Sequence, residues 1–497
     1  MSSVSISNDQ SKMQVFILLF GIAEMCVGFS GVILADFIPA FNPLVVITGV
    51  TGLVALAFCI THPTNLKVYD VLGMALVFSY GTGALNSLIS YALDNKDLLH
   101  SSSVPEYWLT RTLGFSFAAA GFLHVVGRFE SKGYLFYQID SIDLQSKRTL
   151  WFVVIIAMAT VLFVVTGRIG FMGALSENGS SHVSISASVL FELMSPTGAF
   201  ALYAGLKEKQ SKRQFIFLLL SFTLLLVQFG LGRRVFVFSV LMYLMTAILA
   251  KRPKRYFSLK NIVVLISAVM LIQFVTTGYF VMRSARSYFG KQYSPSIVEL
   301  VPKAITLYQD RERLHLAEQI HENVGSRSFV LEYLALMSSR ESKIEPTYGV
   351  NLLRAAVVAM PSVFYPSKYR NPLFGPEEEL ENVHFRLPVW DAANSVLTAG
   401  VDDFGSAGFF ILPVFFCVIF SFLLRIFRSL LPPVAGMLIS FFVFKAVLSV
   451  EEDIVSYFTL IRSMAMFFVF YWLIFAHKRS LSRQTSVLSM DSVARKI

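Results

Sequence analysis

The feature that most constrains this chain is a succession of apolar runs, each about as long as a lipid bilayer is thick. A membrane-spanning helix needs about 20 mainly apolar residues. Twelve such spans are predicted, near residues 13–35, 39–60, 68–92, 106–127, 149–167, 184–206, 214–230, 234–250, 261–282, 404–424, 430–449 and 454–476. Only 15% of the residues are charged, against about 25% in soluble domains. The sequence therefore predicts an all-α polytopic membrane protein and excludes a soluble enzyme, a disordered chain and a fibrous repeat.

The distribution of basic residues predicts how the helices are oriented. With the N-terminus inside, the inner loops and the two termini carry about 22 Lys and Arg, and the short outer loops carry about 4. Both termini are therefore predicted to be cytoplasmic. The net charge of +10 is then largely a topology signal and does not indicate a nucleic-acid partner. The three cysteines lie in apolar runs without metal-ligand spacing, so neither a disulfide framework nor a metal site is predicted.

One segment interrupts the series of spans. Residues 283–403 contain no span and fall on the outer side, between spans nine and ten. A loop of this length is expected to carry its own structure, and helical patterns occur at 311–324, 328–337 and 352–360. The predicted parts are 1–282 (nine spans), 283–403 (the large outer loop, partly helical), 404–476 (three spans) and 477–497 (a cytoplasmic tail).

A second, smaller set of positive side chains lies on the outer side, in this loop and at the span ends next to it. Arginine binds phosphate oxygens in a bidentate way and keeps its charge near a membrane, so these cations are candidates to bind a pyrophosphate-linked lipid. Alternatively they are headgroup anchors or ordinary ion-paired residues. They are Arg233, Arg234, Arg283, Arg286, Arg327, Arg354, Lys368, Arg370 and Arg386.

Other ionisable residues admit two interpretations. Glu24, Glu192, Lys445 and Arg462 lie within predicted spans, where such groups are either functional or paired between helices. His321 and His384 in the loop need a partner before they can act as bases. The acidic run 377–381 is predicted to be a solvated turn. No nucleotide-binding, hydrolase or metalloprotease motif is present in a supporting context.

The order of these features resembles the Wzy-type oligosaccharide repeat-unit polymerases. Gly-Leu-Gly-Arg-Arg-Val at 230–235 is similar to the family's Gly-Ser-Arg-type element at the start of a span. Residues 329–337, Tyr-Gly at 348–349, Met-Pro-Ser at 360–362 and Tyr-Pro-Ser-Lys at 365–368 are similar to the family's loop pattern. The stretch 395–408 is similar to the Ser…Phe-Gly-x-x-Gly element that opens the next span. The residues that match the family's elements best are Arg234, Lys368, Phe404, Gly405 and Gly408. The resemblance implies a structural role for the last three.

The resemblance implies an enzyme in the bacterial inner membrane, without a cofactor. A growing glycan on undecaprenyl pyrophosphate would be transferred at the periplasmic face onto a new lipid-linked repeat unit. Cations, Arg234 among them, would stabilise the departing pyrophosphate, and a base would take the proton of the acceptor hydroxyl. His384 or Asp403 is the expected base, and Asp402 and His321 are the next candidates for this role. A chain-length-regulating co-polymerase is an implied partner.

Three other functions fit parts of the sequence. An O-antigen ligase, which transfers glycan to the lipid A core, has a similar topology, but the His-Asn pair usual before the span has no His here, in Ala393-Asn394-Ser395. A lipid-linked oligosaccharide flippase or other transporter commonly shows internal repeats, and none is evident. A glycosyltransferase with a monosaccharide donor could use Asp36 as its base, but that family generally places its large loop early in the chain.

Overall fold

The computed structural model of the chain describes most of the predicted spans and part of the large loop. The described residues are 8–38, 41–94, 104–130, 133–136, 147–166, 185–231, 233–251, 270, 278, 281–282, 285, 297–309, 329–341, 344–361, 364–365, 377–387, 394–431, 433–469 and 471. Within them there is no β-strand, only one isolated bridge between Lys67 and Tyr134.

The first half of the chain folds into long apolar helices. They are α1 (Asn8–Leu34), α2 (Phe41–Thr61), α3 (Val68–Leu76), α4 (Gly83–Asp94), α5 (Glu106–Phe129), α6 (Lys147–Val165), α7 (Ile185–Lys207), α8 (Ser211–Leu231) and α9 (Arg233–Lys251). A π-helical stretch, Val77–Thr82, joins α3 to α4, so the predicted third span is one continuous element.

The second half begins with shorter helices and ends in apolar ones. They are α10 (Ile297–Gln309), α11 (Phe329–Arg340), α12 (Val350–Ala359), α13 (Glu377–Phe385), α14 (Val396–Phe404), α15 (Gly408–Leu430), α16 (Pro433–Leu448) and α17 (Ile454–Val469). The helices predicted at 328–337 and 352–360 are confirmed as α11 and α12. The helix predicted at 311–324 lies outside the described residues.

Seven stretches of the described chain are long and apolar enough to cross a membrane, as judged by length and composition. They are Ser11–Leu34, Phe41–Cys59, Val68–Asn86, Glu106–Phe129, Val189–Lys207, Ser211–Phe229 and Val396–Leu430. Helices α6, α9, α16 and α17 are apolar but shorter, and each coincides with a predicted span. The chain is thus a helical, multi-pass membrane protein. The predicted ninth span, 261–282, lies outside the described residues apart from 270, 278 and 281–282, and the predicted tail, 477–497, lies wholly outside them.

Glycine pairs bring helices into close contact at two places. A Cβ on Gly28 would lie 2.6 Å from the carbonyl oxygen of Gly114, so α1 and α5 pack with their backbones almost touching. A Cβ on Gly408 would lie only 1.8 Å from the carbonyl oxygen of Gly400. Larger side chains would separate these helices. The second pair holds α14 against the start of α15, next to the candidate active site.

Candidate active site

The candidate site is built around α14, whose start is fixed by a capping box. The Ser395 hydroxyl accepts hydrogen bonds from the backbone N–H groups of Leu397 and Thr398, at 3.2 and 3.1 Å. The Thr398 hydroxyl in turn accepts from the Ser395 N–H at 2.8 Å, and Tyr80 of the π-helical stretch lies 2.6 Å from the Ser395 hydroxyl. Such a reciprocal box satisfies the free N–H groups of a helix start. The last turn of α14, which carries Asp402 and Asp403, is therefore set on a rigid helix.

Asp403 caps another helix. Its carboxylate accepts hydrogen bonds from the backbone N–H groups of Asn351 at 3.0 Å and Leu352 at 2.9 Å, in the first turn of α12. The hydroxyl of Thr347 donates to the same carboxylate. Asp403 is fully buried, so its oxygens are occupied by N–H and O–H donors. This environment fits a structural role better than the role of general base predicted for Asp403.

Asp402 instead contacts His384. Its Oδ1 atom lies 2.5 Å from Nδ1 of His384, at the last turn of α13. The Asn351 side-chain amide donates to the other oxygen, Oδ2. Asp402 is buried, whereas 28% of the His384 side chain is exposed. A carboxylate that accepts from Nδ1–H fixes the tautomer in which Nε2 is free to accept a proton. The structure thus joins two residues that the sequence named separately as candidate bases.

The acidic run before His384 is not a solvated turn, so that prediction is wrong. Residues 377–381 form the first turns of α13, and Glu377 and Glu381 are buried at 4% and 1% exposure. Glu377 accepts a hydrogen bond of 3.2 Å from the N–H of Ile454, the first residue of α17. Tyr333 of α11 donates to Glu381 at 3.2 Å. Both acids face inward because the helix places positions four residues apart on the same side.

Burial changes the protonation of these two acids. Burial, followed by the charge of Asp453, raises the pKa of Glu377 to about 8. Burial, followed by the charges of Glu377 and Asp402, raises the pKa of Glu381 well above its usual value. Carboxylates that are buried close together cannot all ionise without a large electrostatic cost. Glu377 therefore holds a proton at neutral pH, and the pKa of Glu381 is shifted in the same direction.

Arg354 is the one predicted cation whose side chain the described residues place inside this group of acids. It is 6% exposed, its guanidinium donates to the Asn351 side-chain oxygen at 3.5 Å, and its charge lowers the pKa of both Glu377 and Glu381. Arg354 thus connects α12 to α13 electrostatically. It lies among the partners of His384 and Asp402, and its predicted contact with a pyrophosphate remains a prediction.

The other predicted cations are placed less completely. Arg386 is exposed, with a left-handed backbone at φ +53°. Arg233 and Arg234 form the first turn of α9, and only their backbones are described. The remaining predicted site residues lie outside the described residues; they are Arg283, Arg286, Arg327, Lys368, Arg370 and His321.

The side chains that hold the site together were not predicted from the sequence. Arg340 donates to the backbone carbonyls of Phe385 and Arg386, at 2.8 and 2.5 Å, and so closes the end of α13. Glu341 accepts from the N–H and hydroxyl of Ser406, at 2.6 and 2.7 Å, in the turn between α14 and α15. These partners are 45 to 65 residues apart in the chain, so no local pattern identifies them.

Three of the four ionisable residues predicted within spans, Glu192, Lys445 and Arg462, bond to groups on other helices. Lys445 of α16 forms an ion pair of 2.5 Å with Glu192 of α7, and Arg462 of α17 donates to the Ala359 carbonyl at the end of α12 at 2.9 Å. Glu24 lies near His124. Among the described residues, no group of three or more His, Cys, Asp or Glu side chains has the geometry to hold a metal ion.

The chain was compared with models of protein families, with characterised proteins and with solved structures, and it matches none of them.

Proposed function

We propose that the chain is a membrane-embedded glycosyltransferase, an oligosaccharide repeat-unit polymerase of the Wzy type. It would transfer a growing glycan from undecaprenyl pyrophosphate onto a new lipid-linked repeat unit, at the outer (periplasmic) face of a bacterial inner membrane. In this proposal twelve spans cross the membrane, both termini are cytoplasmic and the outer loop carries the chemistry. The proposal is supported by the order of sequence features and by the His384–Asp402 pair.

The His384–Asp402 pair is the observation on which the proposal rests most heavily. A glycosyl acceptor hydroxyl is too weak an acid to attack without losing its proton, so the reaction needs a positioned base. The buried carboxylate of Asp402 lies 2.5 Å from Nδ1 of His384 and would stabilise the imidazolium after proton uptake. Nε2 then serves as the base. A histidine bound to a buried carboxylate and itself partly exposed has the geometry that this role requires.

The proposed step conserves atoms and charge. The acceptor oxygen forms a bond to the anomeric carbon of the donor glycan, and the bond between that carbon and the pyrophosphate oxygen breaks. The hydroxyl proton moves to Nε2 of His384, and the lipid pyrophosphate leaves as an anion. Developing negative charge on the leaving group requires cations. By the family resemblance, Arg234 is the first of these, and the loop cations would assist it.

A polymerisation assay tests the proposal. Purified protein with a lipid-linked repeat unit, and with no nucleotide sugar and no added divalent metal, is expected to produce a ladder of glycan lengths. His384→Gln should lower the rate about 100- to 10,000-fold, the range expected for loss of a general base. The matched control is His62→Gln, which changes a half-buried histidine stacked on Phe58 at the far end of α2.

Four results would contradict the proposal, each in a different way. If His384→Gln produced the ladder at the full rate, His384 would not be the base. A wild-type protein that transfers glycan only to a lipid A core acceptor would be a ligase. Movement of the lipid-linked unit across a vesicle membrane, without any covalent product, would identify a flippase. Arg234→Ala should abolish the ladder in a protein that remains inserted and folded, and an unchanged ladder would exclude the role assigned to Arg234.

A further inference from the structure

A second set of ionisable side chains lies in the bundle formed by α1, α3 and α5, far along the chain from the candidate active site. His124 of α5 is in the middle: its Nε2 lies 3.5 Å from a carboxylate oxygen of Glu24, and its Nδ1 lies 3.4 Å from Oδ1 of Asp70. Arg128 forms an ion pair with the same oxygen of Asp70. Glu24, His124 and Asp70 are all at most 2% exposed. Titratable groups thus form a continuous series through the interior.

The two ends of this series differ in their hydrogen bonds. Asp70 is well satisfied, because it accepts from the Lys67 N–H at 2.9 Å as well as from Arg128. Glu24 is not: among the described residues, neither of its oxygens has a hydrogen-bond partner, and neither does Nε2 of His124. Buried polar atoms without partners are rare and costly. Glu24 and His124 therefore face each other across a gap in which a proton on either atom would complete a hydrogen bond.

The surrounding backbone holds these side chains in place. A Cβ on Gly121 would lie 2.4 Å from the carbonyl oxygen of Gly21, so α1 and α5 are in direct backbone contact one turn from Glu24. A Cβ on Gly73 would lie 3.0 Å from the ring atoms of His124, so the ring packs on the backbone of α3. The imidazole can accept a proton on Nδ1 and release another from Nε2 without leaving this position.

The Asp70 end is the one connected toward the loop before α3. Arg128 donates to Gln14, and Gln14 donates to the Asn65 carbonyl at 3.2 Å. The orientation predicted from the basic residues puts this end of the bundle on the cytoplasmic side. The other titratable and charged groups near the series are Cys59, Lys67, Tyr69, Glu130, Cys417 and Arg425.

We infer that Glu24 and His124 form a proton-binding site in the membrane interior, which is loaded from the Arg128 end through Asp70. One proton is shared by the pair: it resides on the Glu24 carboxyl with a neutral imidazole, or on Nε2 of His124 with an ionised carboxylate. Chains of Asp, Glu and His inside membrane proteins are typical of proton relays. This site is separate from the His384–Asp402 pair and does not depend on the proposed glycosyl transfer.

Infrared difference spectroscopy tests this inference on the full-length protein in lipid nanodiscs, across a pH series in H₂O and D₂O. We expect a protonated-carboxyl band that decreases as the pH rises and that is lost in Glu24→Gln. His124→Asn removes the second position of the shared proton, so the band should become stronger at low pH and its midpoint should move to lower pH, by about 0.3 pH unit if the proton is equally shared. Asp70→Asn should slow the response of the band to a rapid pH jump at least tenfold, while its amplitude is kept.

Controls separate this result from general damage to the fold. Glu192→Gln changes another acid of the bundle, the one paired with Lys445 at 2.5 Å, and should leave the band unchanged. If Glu24→Gln does not fold, Glu24→Asp retains a carboxyl group and should shift the frequency and midpoint of the band. A band that survives Glu24→Gln, a band that does not change with pH, or a band whose strength and midpoint are unchanged in His124→Asn would overturn the proton-binding site. An unchanged response rate in Asp70→Asn would overturn the loading route.

Discussion

Asp402 and Asp403 are neighbours in the sequence, but their carboxylates contact different partners. Asp402 lies against His384, whereas Asp403 accepts N–H groups from the first turn of α12. We expect Asp402→Asn to lower the polymerisation rate about 100- to 10,000-fold with little change in stability, because an amide cannot stabilise the imidazolium.

The matched variant Asp403→Ala should show the opposite pattern. It removes a helix cap and should lower the free energy of unfolding by about 1–2 kcal/mol, with most of the rate per folded molecule retained. Thermal unfolding in detergent and the ladder assay measure the two effects. If Asp403→Ala lowered the polymerisation rate and Asp402→Asn did not, the roles assigned to the two aspartates would be wrong.

The buried acids of α13 predict a dependence of stability on pH. Burial, and after it the charge of Asp453, raises the pKa of Glu377 from 4.5 to about 8. The charge of Asp402 adds to this shift, whereas the charge of Arg354 and the hydrogen bond from the Ile454 N–H oppose it. Between these pH values the folded chain holds a proton that the unfolded chain has released. Stability should therefore fall as the pH rises from 4.5 to about 8. The raised pKa of Glu381 acts in the same direction.

Thermal unfolding across this pH range provides the measurement. Glu377→Gln should weaken the decline, because its amide oxygen can still accept the N–H of Ile454 but no longer ionises. Glu379→Gln, at an exposed position of the same helix, is the control and should decline as the wild type does. An equally steep decline in Glu377→Gln would show that another group is responsible.

At the scale of elements, the break between α14 and α15 depends on one glycine. Gly405 has φ +60° and ψ −148°, and a Cβ there would lie 2.4 Å from a carboxylate oxygen of Glu341. This backbone region is essentially restricted to glycine, and strain of this kind costs about 1–3 kcal/mol. We expect Gly405→Ala to destabilise the protein by that amount or more, as measured by thermal unfolding.

Gly436→Ala is the matched control for this prediction. Gly436 lies inside α16, and the nearest atom to its added Cβ would be 3.5 Å away, an ordinary contact. Since alanine favours a helix more than glycine by up to about 1 kcal/mol, this variant should be neutral or slightly stabilising. A Gly405→Ala protein as stable as Gly436→Ala would show that the turn relaxes without strain.

The elements that the sequence predicted are those defined by local composition. The span at 106–127 appears as α5 because its apolar residues are continuous, and α12 ends just before Pro361 because proline cannot continue a helix. The burial of Glu377 and the pairing of His384 with Asp402 were not predicted. Both depend on residues 18 to 77 positions away, and a single sequence gives no register for such contacts.

At the scale of the whole molecule, the number and direction of crossings determine which residues share a membrane face. Helices α8 and α9 lie between residue 210 and the large loop, and the predicted ninth span, 261–282, would add a third crossing. With three crossings, Gln210 and Tyr348 lie on opposite sides of the membrane; with two, they lie on the same side. The position of the His384–Asp402 pair relative to the cytoplasm depends on this count.

Labelling of single cysteines decides between the two topologies. Cys59 and Cys417 are buried and Cys26 is exposed on an apolar helix, so all three are first replaced by Ser or Ala. Tyr348→Cys, at a site that is 75% exposed, should react with a membrane-impermeant maleimide on intact cells whose outer membrane has been permeabilised. Gln210→Cys, in the exposed turn between α7 and α8, should react only after the inner membrane is opened. Labelling of both cysteines from outside would show that the ninth span does not cross the membrane. Labelling of Gln210→Cys alone from outside would show that the orientation is the reverse of the predicted one. The His384–Asp402 pair would then lie on the cytoplasmic side, where it could not polymerise glycan in the periplasm.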